Sequence, residues 1–180
     1  MRTRRTSAVR FTGPPIRIAF KPDLTAWRGK LLSGDKKGRP VLAGSFPRRR
    51  EIVLDRDLLA KPRQLARIVL HEVFHFVWPR LGNPARLEWE RVLQDELASR
   101  VEGEAGWSSE WRKARLRARD LERRTRRWRE YACESFCDTA AWLFSGPKRH
   151  SEVTLRRSGL HGRRRWFREL LDRRSGRLPI

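Results

Sequence analysis

Between Pro62 and Trp78 the sequence PRQLARIVLHEVFHFVW runs without a glycine or an internal proline, and it sets two histidines and a glutamate between the apolar flanks IVL and FVW. Proline is suited to a first helical turn, and Pro79 marks a stop, so the segment predicts a helix of about four turns. IVL before and FVW after the polar group predict that this helix is largely buried. Unpaired polar groups there cost several kcal/mol, so the fold has to satisfy His71, Glu72 and His75 from within. On a helix, positions i and i+4 project about 40° apart around the axis, so two neutral imidazoles at 71 and 75 can hold one zinc ion. Glu72, one step round, is poorly placed to ligate but well placed to reach a water on the metal as general base. The plainer alternative is a pair of core histidines satisfied by other partners.

A hydrolytic zinc site takes a third protein ligand and leaves a fourth position for water. One large class of such sites has a third histidine six residues beyond the second, with a glycine between. Here Leu81 and Trp78 occupy those positions, which excludes that class. The acids in a comparably apolar helix are Glu134 and Asp138, one turn apart on one face of YACESFCDTAAWLF, and either is chemically able to ligate. For Glu134 the competing role is a buried ion pair with one of the many arginines.

HEVFH followed about sixty residues later by ESFCD resembles the gluzincin metallopeptidases, whose pattern is HExxH with a downstream helix carrying ExxxD. The resemblance covers about residues 50 to 145. It implies a Zn2+ cofactor, Glu134 as the third ligand, and Asp138 as the carboxylate that accepts a hydrogen bond from a ligand histidine and so fixes its ring. It also implies that REIVLD is the edge strand along which an extended peptide substrate lies. Among gluzincins the chain is loosely similar to minimal intracellular members such as the ImmA/IrrE-like peptidases, though no helix-turn-helix is evident. As in related peptidases, Tyr131 and His161 are candidates to stabilise a developing oxyanion. Tyr131 competes for a place in the core, and His161, in the loop-like SGLHG, for a place on the surface.

Elsewhere the pattern is that of one α+β domain over residues 1–180. Short strands are predicted at Ile16 to Phe20, Val41 to Phe46 and Glu51 to Asp55, separated by SGDKKGRP and FPRRR. A second helix is predicted from about Pro84 to Val101, ended by Gly103 and Gly106. Ser108 then reads as the N-cap of a long helix whose face carries Trp111, Ala114, Ala118, Leu121, Thr125, Trp128 and Ala132. From Tyr131 to Phe144 the chain is apolar almost all round, with Gly146 and Pro147 as the stop. A last amphipathic helix carries Leu160, Trp166, Phe167, Leu170 and Leu171. The expected architecture is a small N-terminal β-sheet packed on the HExxH helix, followed by a mainly helical C-terminal half: a minimal zincin-like fold. Residues 1–15 are expected to form a flexible basic tail.

The 43 Lys and Arg against 21 Asp and Glu leave a net charge of +22, so affinity for a polyanion is a physical expectation. That supports a rival reading, a basic nucleic-acid-binding protein in which HExxH is structural or accidental. Its material is the Arg-rich segments 112 to 129 and 156 to 177, although Asp120 and Glu122 interrupt the first and no zinc-finger or recognition-helix pattern is present. A combined possibility is a peptidase recruited by its basic surface to an acidic protein or to nucleic acid. Cys133 and Cys137 have neither disulfide-framework nor paired-cysteine zinc spacing and are expected to be buried thiols. No apolar run of signal-peptide or membrane-spanning length is found, so the expected location is cytoplasmic, with no membrane partner.

Overall fold

The computed structural model describes residues 9–34, 37–146 and 150–180. Among these the architecture is α+β, with six α-helices and eight short strands. The apolar run Ile52-Val53-Leu54 forms the heart of β7 (Glu51–Asp55), all five of whose residues are buried. Such a strand belongs inside a sheet rather than at its margin. It is indeed central: β2 (Arg17–Lys21) pairs with it in parallel on one side, and β6 (Ala43–Phe46) antiparallel on the other. The expectation that REIVLD is an edge strand is therefore overturned, because its backbone groups are already paired on both sides.

Two smaller sheets were not anticipated. The first is built on a tight hairpin, β3 (Leu24–Trp27) and β4 (Lys30–Ser33), with β5 (Arg39–Pro40) on the other side of β3. Its two-residue turn places both Arg28 (φ 47°) and Gly29 (φ 76°) in the left-handed region, as hairpins of this length require. Arginine is an unusual choice at the first of these positions, which hid the turn in the sequence. The second pairs β1 (Arg10–Thr12) in parallel with β8 (Arg177–Pro179), near the C-terminal end of the chain. This corrects part of the expected N-terminal tail. Residues 1–8 lie outside the described residues, but Arg10–Thr12 is a paired strand. The Arg50 side chain reinforces this corner by donating to the carbonyls of Pro14, Pro15 and Ile180.

The HExxH helix, α1 (Pro62–Arg80), is buried on several sides at once. Phe76 packs with Ile52, Leu54 and Leu58, with Val69 and Val73 beside them, so one face covers the three-stranded sheet. Phe74 and Val77 join the helical core with Trp89, Trp128, Phe136 and Phe167. Phe136 stacks on Phe167 with ring centroids 5.1 Å apart. The remaining stripe, with His71 and His75, faces α5 (Arg126–Phe144). Pro79 lies within the last turn of α1 rather than ending it, since the helix runs to Arg80.

Helix α2 (Asn83–Ala98) stops earlier than Val101, where Arg100 turns left-handed (φ 52°) and the Val101 N–H returns to the Glu96 carbonyl at 2.8 Å. The predicted long helix after Ser108 is three pieces: α3 (Trp107–Lys113), α4 (Ala118–Glu122) and α5. Asp120 makes one break by accepting from the Arg117 N–H at 2.9 Å and the Thr125 hydroxyl at 2.6 Å. Arg124 makes the other. It adopts φ 45°, and its guanidinium binds both carboxylate oxygens of Glu90 at 2.8 Å. The residue preceding α3 is Gly106, not Ser108. Helix α6 (Arg157–Arg173) closes the core with Trp166, Phe167, Leu170 and Leu171. Pro147, half of the predicted stop after α5, lies outside the described residues; α5 ends at Phe144.

Behind the helical core lies a buried charge network. Arg163 of α6 is wholly buried and binds Glu96 and Glu104, each at 2.7 Å. Glu104 also accepts from the Tyr131 hydroxyl at 2.6 Å and faces the Lys113 ammonium at 3.4 Å. Burial pushes the Glu104 carboxyl up, but Arg163 and Lys113 outweigh it and hold it below the ordinary range. This network anchors the loop between α2 and α3, and so the approach of α3 to α5. No helix among the described residues is long and apolar enough to cross a membrane.

Candidate metal centre

Helix α1 carries the two histidines and α5 carries three pairs of residues, each one turn apart, that face different partners. Glu134 and Asp138 face the histidines. Cys133 and Cys137 group with His75. Tyr131 and Ser135 face Glu104.

The His71 and His75 Nε2 atoms lie 3.2 Å apart, and Glu134 Oε2 lies 3.3 Å from the first and 3.8 Å from the second. Ligand bonds of about 2.0–2.2 Å at tetrahedral angles put donor atoms about 3.3–3.4 Å apart, so this spacing suits one ion of zinc's size. The donor chemistry fits as well. His71 Nδ1 lies 2.8 Å from Asp138 Oδ1 and donates to it, which in the neutral ring leaves the lone pair on Nε2, aimed at His75 and Glu134. Three electron-rich atoms so placed repel one another unless a cation or protons lie between them.

Burial drives the His71 imidazole down, but Asp138 and Glu134 more than reverse it, leaving the ring well above its ordinary value. His75 is also opposed by burial, yet Cys133 and Glu134 raise it to about 9. Glu134 is pushed up by burial and pulled down further by His71, His75 and Arg112, to about 2.

Each group has a support behind it. Asp138 Oδ2 accepts from the Ser109 N–H at 2.9 Å and hydroxyl at 2.8 Å. Gly106 allows that approach, since a Cβ there would lie 2.4–2.7 Å from the Asp138 carboxylate atoms. Arg112 Nη2 holds the other oxygen of Glu134 at 3.1 Å. His75 Nδ1 lies 3.6 Å from the Cys133 sulfur. Glu72 is buried, and its charge is felt by His71, but its carboxylate takes no hydrogen bond from the described residues.

The structure thus brings together His71, His75, Glu134 and Asp138, with Glu72 beside them. Of the two candidate oxyanion stabilisers, Tyr131 is turned to a different partner. The Tyr131 proton is committed to Glu104 in a wholly buried position. His161 is exposed within α6, not in a loop, and is not among the groups gathered at the histidines. Sequence reasoning missed Ser109, Gly106 and Arg112. Gly106 read only as a helix terminator, and nothing distinguishes Arg112 from the cations around it. Both cysteines are free thiols; Cys137 is buried and Cys133 partly so. No family model matches the chain, and no curated protein or solved structure shows a significant match to it.

Proposed function

We propose that the chain is a zinc-dependent metallopeptidase of the gluzincin type, working in the cytoplasm. The observation that carries this reading is the convergence of His71 Nε2, His75 Nε2 and Glu134 Oε2 within 3.2–3.8 Å of one another, with Asp138 fixing the His71 ring. Those three atoms would hold the ion. Zinc in such a site supplies Lewis-acid polarisation of a scissile carbonyl and lowers the pKa of the attacking water. Glu72, a carboxylate that no described neighbour occupies, would serve as general base and then as the acid toward a leaving amine. Asp138 keeps His71 in the tautomer that presents Nε2. Arg112 keeps one Glu134 oxygen turned toward the histidines by holding the other. An extended peptide would pair with β6, one of the sheet's two edge strands among the described residues and the one in more extensive contact with α1, since β7 is paired on both sides.

The test is zinc content and peptide hydrolysis together. Purified wild type should carry about one zinc per chain after dialysis, Glu134→Ala should lose it, and Glu72→Gln should keep zinc and lose turnover. Full turnover in Glu72→Gln would sink the mechanism, and a zinc-free wild type after metal loading would sink the whole reading.

A second reading, nucleic-acid binding with HExxH structural or accidental, is favoured by one surface feature. Trp107, 49% exposed, stacks with Trp111 at 6.3 Å, and Arg39 lies over both rings. Arg115 lies 3.8 Å over Trp111. Aromatic faces among arginines suit stacked bases and phosphates. Salt-dependent binding of single-stranded DNA, weakened in Trp107→Ala, would support it. No retention at low salt would remove it. Because α3 also supplies Arg112 and Ser109 to the metal centre, a peptidase recruited by this surface to nucleic acid or an acidic protein combines both readings.

A further inference from the structure

A second group of donors meets on the opposite side of the His75 ring. Cys133, Cys137 and His75 each offer one ligand atom, all within 4.8 Å of one another. The Cys133 sulfur lies 3.6 Å from His75 Nδ1. Metal–sulfur bonds of about 2.3 Å and metal–nitrogen bonds of about 2.0–2.1 Å, at tetrahedral angles, put S and N about 3.6 Å apart. The cysteines are one helical turn apart on α5, and Cys137 is fully buried. Two thiolates and one imidazole are a soft donor set, whereas His71, His75 and Glu134 offer no sulfur.

We propose that Cys133, Cys137 and His75 Nδ1 form a site for a soft metal ion of the Cu(I) class, and that this site competes with the hydrolytic one for His75. The competition follows from ring chemistry. A neutral imidazole has one lone pair and one N–H. In the hydrolytic arrangement the lone pair is on Nε2 and the proton on Nδ1, toward Cys133. A soft ion at Nδ1 takes the lone pair, and the ring proton then resides on Nε2. The two thiols enter as thiolates and release their protons to solvent, and no electron is transferred. His75 then presents an N–H to the hydrolytic centre, which is left with His71 and Glu134. The soft ion would thereby switch the centre off. The soft site itself does not depend on the metallopeptidase reading; the switching does.

The experiment is an anaerobic Cu(I) titration against a chromophoric Cu(I) chelator, with zinc release followed in parallel by a zinc-specific dye. Wild type should take one Cu(I) per chain and release its zinc as it does so. Cys133→Ala and Cys137→Ala should lose Cu(I) binding, and Glu134→Ala, which lacks the hydrolytic site, should retain it. Because Cys137 is buried and its truncation leaves a void in the core, Co(II) added to Glu134→Ala gives a check with both thiols intact. A thiolate-to-metal charge-transfer band at longer wavelength than tryptophan absorption is expected. Absence of Cu(I) binding and of that band, or Cu(I) binding that survives in folded Cys133→Ala, overturns the site. Cu(I) bound with zinc fully retained overturns the competition. A wild type that takes Cu(I) at the cysteines but never zinc would leave this site standing and remove the peptidase reading instead.

Discussion

Asp138 Oδ1 stands 2.8 Å from His71 Nδ1, while its other oxygen accepts two hydrogen bonds from Ser109. The carboxylate is thus an acceptor on both sides, a demand an amide cannot meet. In Asp138→Asn one side must present an NH2 group to a donor, so either Ser109 or His71 loses its partner. Zinc affinity is expected to fall about 10- to 100-fold, the usual effect of removing such a support. Competition against a chromophoric chelator measures it, and unchanged affinity in the folded variant would show that the His71 ring is fixed by something else.

Gly106 bears on the same carboxylate. A Cβ at this position would lie 2.4 Å from the Asp138 carboxyl carbon, so Gly106→Ala has to push α3 and α5 apart or rotate Asp138 off His71. A loss of about 1–3 kcal/mol of stability is expected from overpacking, together with weaker zinc binding. Thermal unfolding with and without zinc checks both. A fully stable variant with normal zinc affinity would contradict the close packing of α3 on Asp138.

The grouping of His71, His75, Glu134 and Asp138 was legible in the sequence because helical spacing is rigid: HEVFH and ESFCD each fix which side chains share a face. The burial of α1 followed from its apolar flanks in the same way. What could not be read is tertiary. The breaks after Lys113 and Glu122 contain no glycine or proline; they come from Asp120 and Arg124, whose partners include Glu90 on another helix. The edge position expected of β7 came from the resemblance alone; its parallel partner β2 lies some thirty residues away in sequence, and no local pattern announces that pairing. Arg112 is one cation among ten between positions 112 and 129, and only the fold selects it as the partner of Glu134.

Arg163 offers a test of the helical scaffold independent of any metal. Its guanidinium, 0% exposed, balances Glu96 and Glu104, which are also buried. Arg163→Met keeps much of the volume but leaves two buried carboxylates, with Lys113 as the nearest remaining cation to Glu104. Breaking a buried charge group in this way costs about 3–5 kcal/mol. Chemical denaturation of Arg163→Met should show a loss of that order, and adding Glu96→Gln should recover part of it. A single variant as stable as wild type would mean that the network contributes little.

Protons and metal compete for the same atoms, which fixes the sign of the pH dependence. Asp138 and Glu134 hold His71 above its ordinary value, and Cys133 and Glu134 raise His75 to about 9, so these rings keep their protons to higher pH than a free imidazole does. Each must lose its Nε2 proton before that atom can ligate, so zinc binding at pH 7 expels up to two protons. Affinity should therefore rise as pH increases from 7 toward 9, by about tenfold per pH unit for each proton released, and flatten once the rings are neutral. Glu134, held at about 2, adds nothing to this slope, because it is ionised throughout the range. Calorimetry at pH 7 in buffers of different ionisation enthalpy counts the protons directly. In Glu134→Ala, where one of the charges raising both rings is gone, fewer protons should be expelled at pH 7 by whatever metal still binds. A wild-type affinity independent of pH between 7 and 9 would mean that the imidazoles are already neutral, or that they are not the ligands.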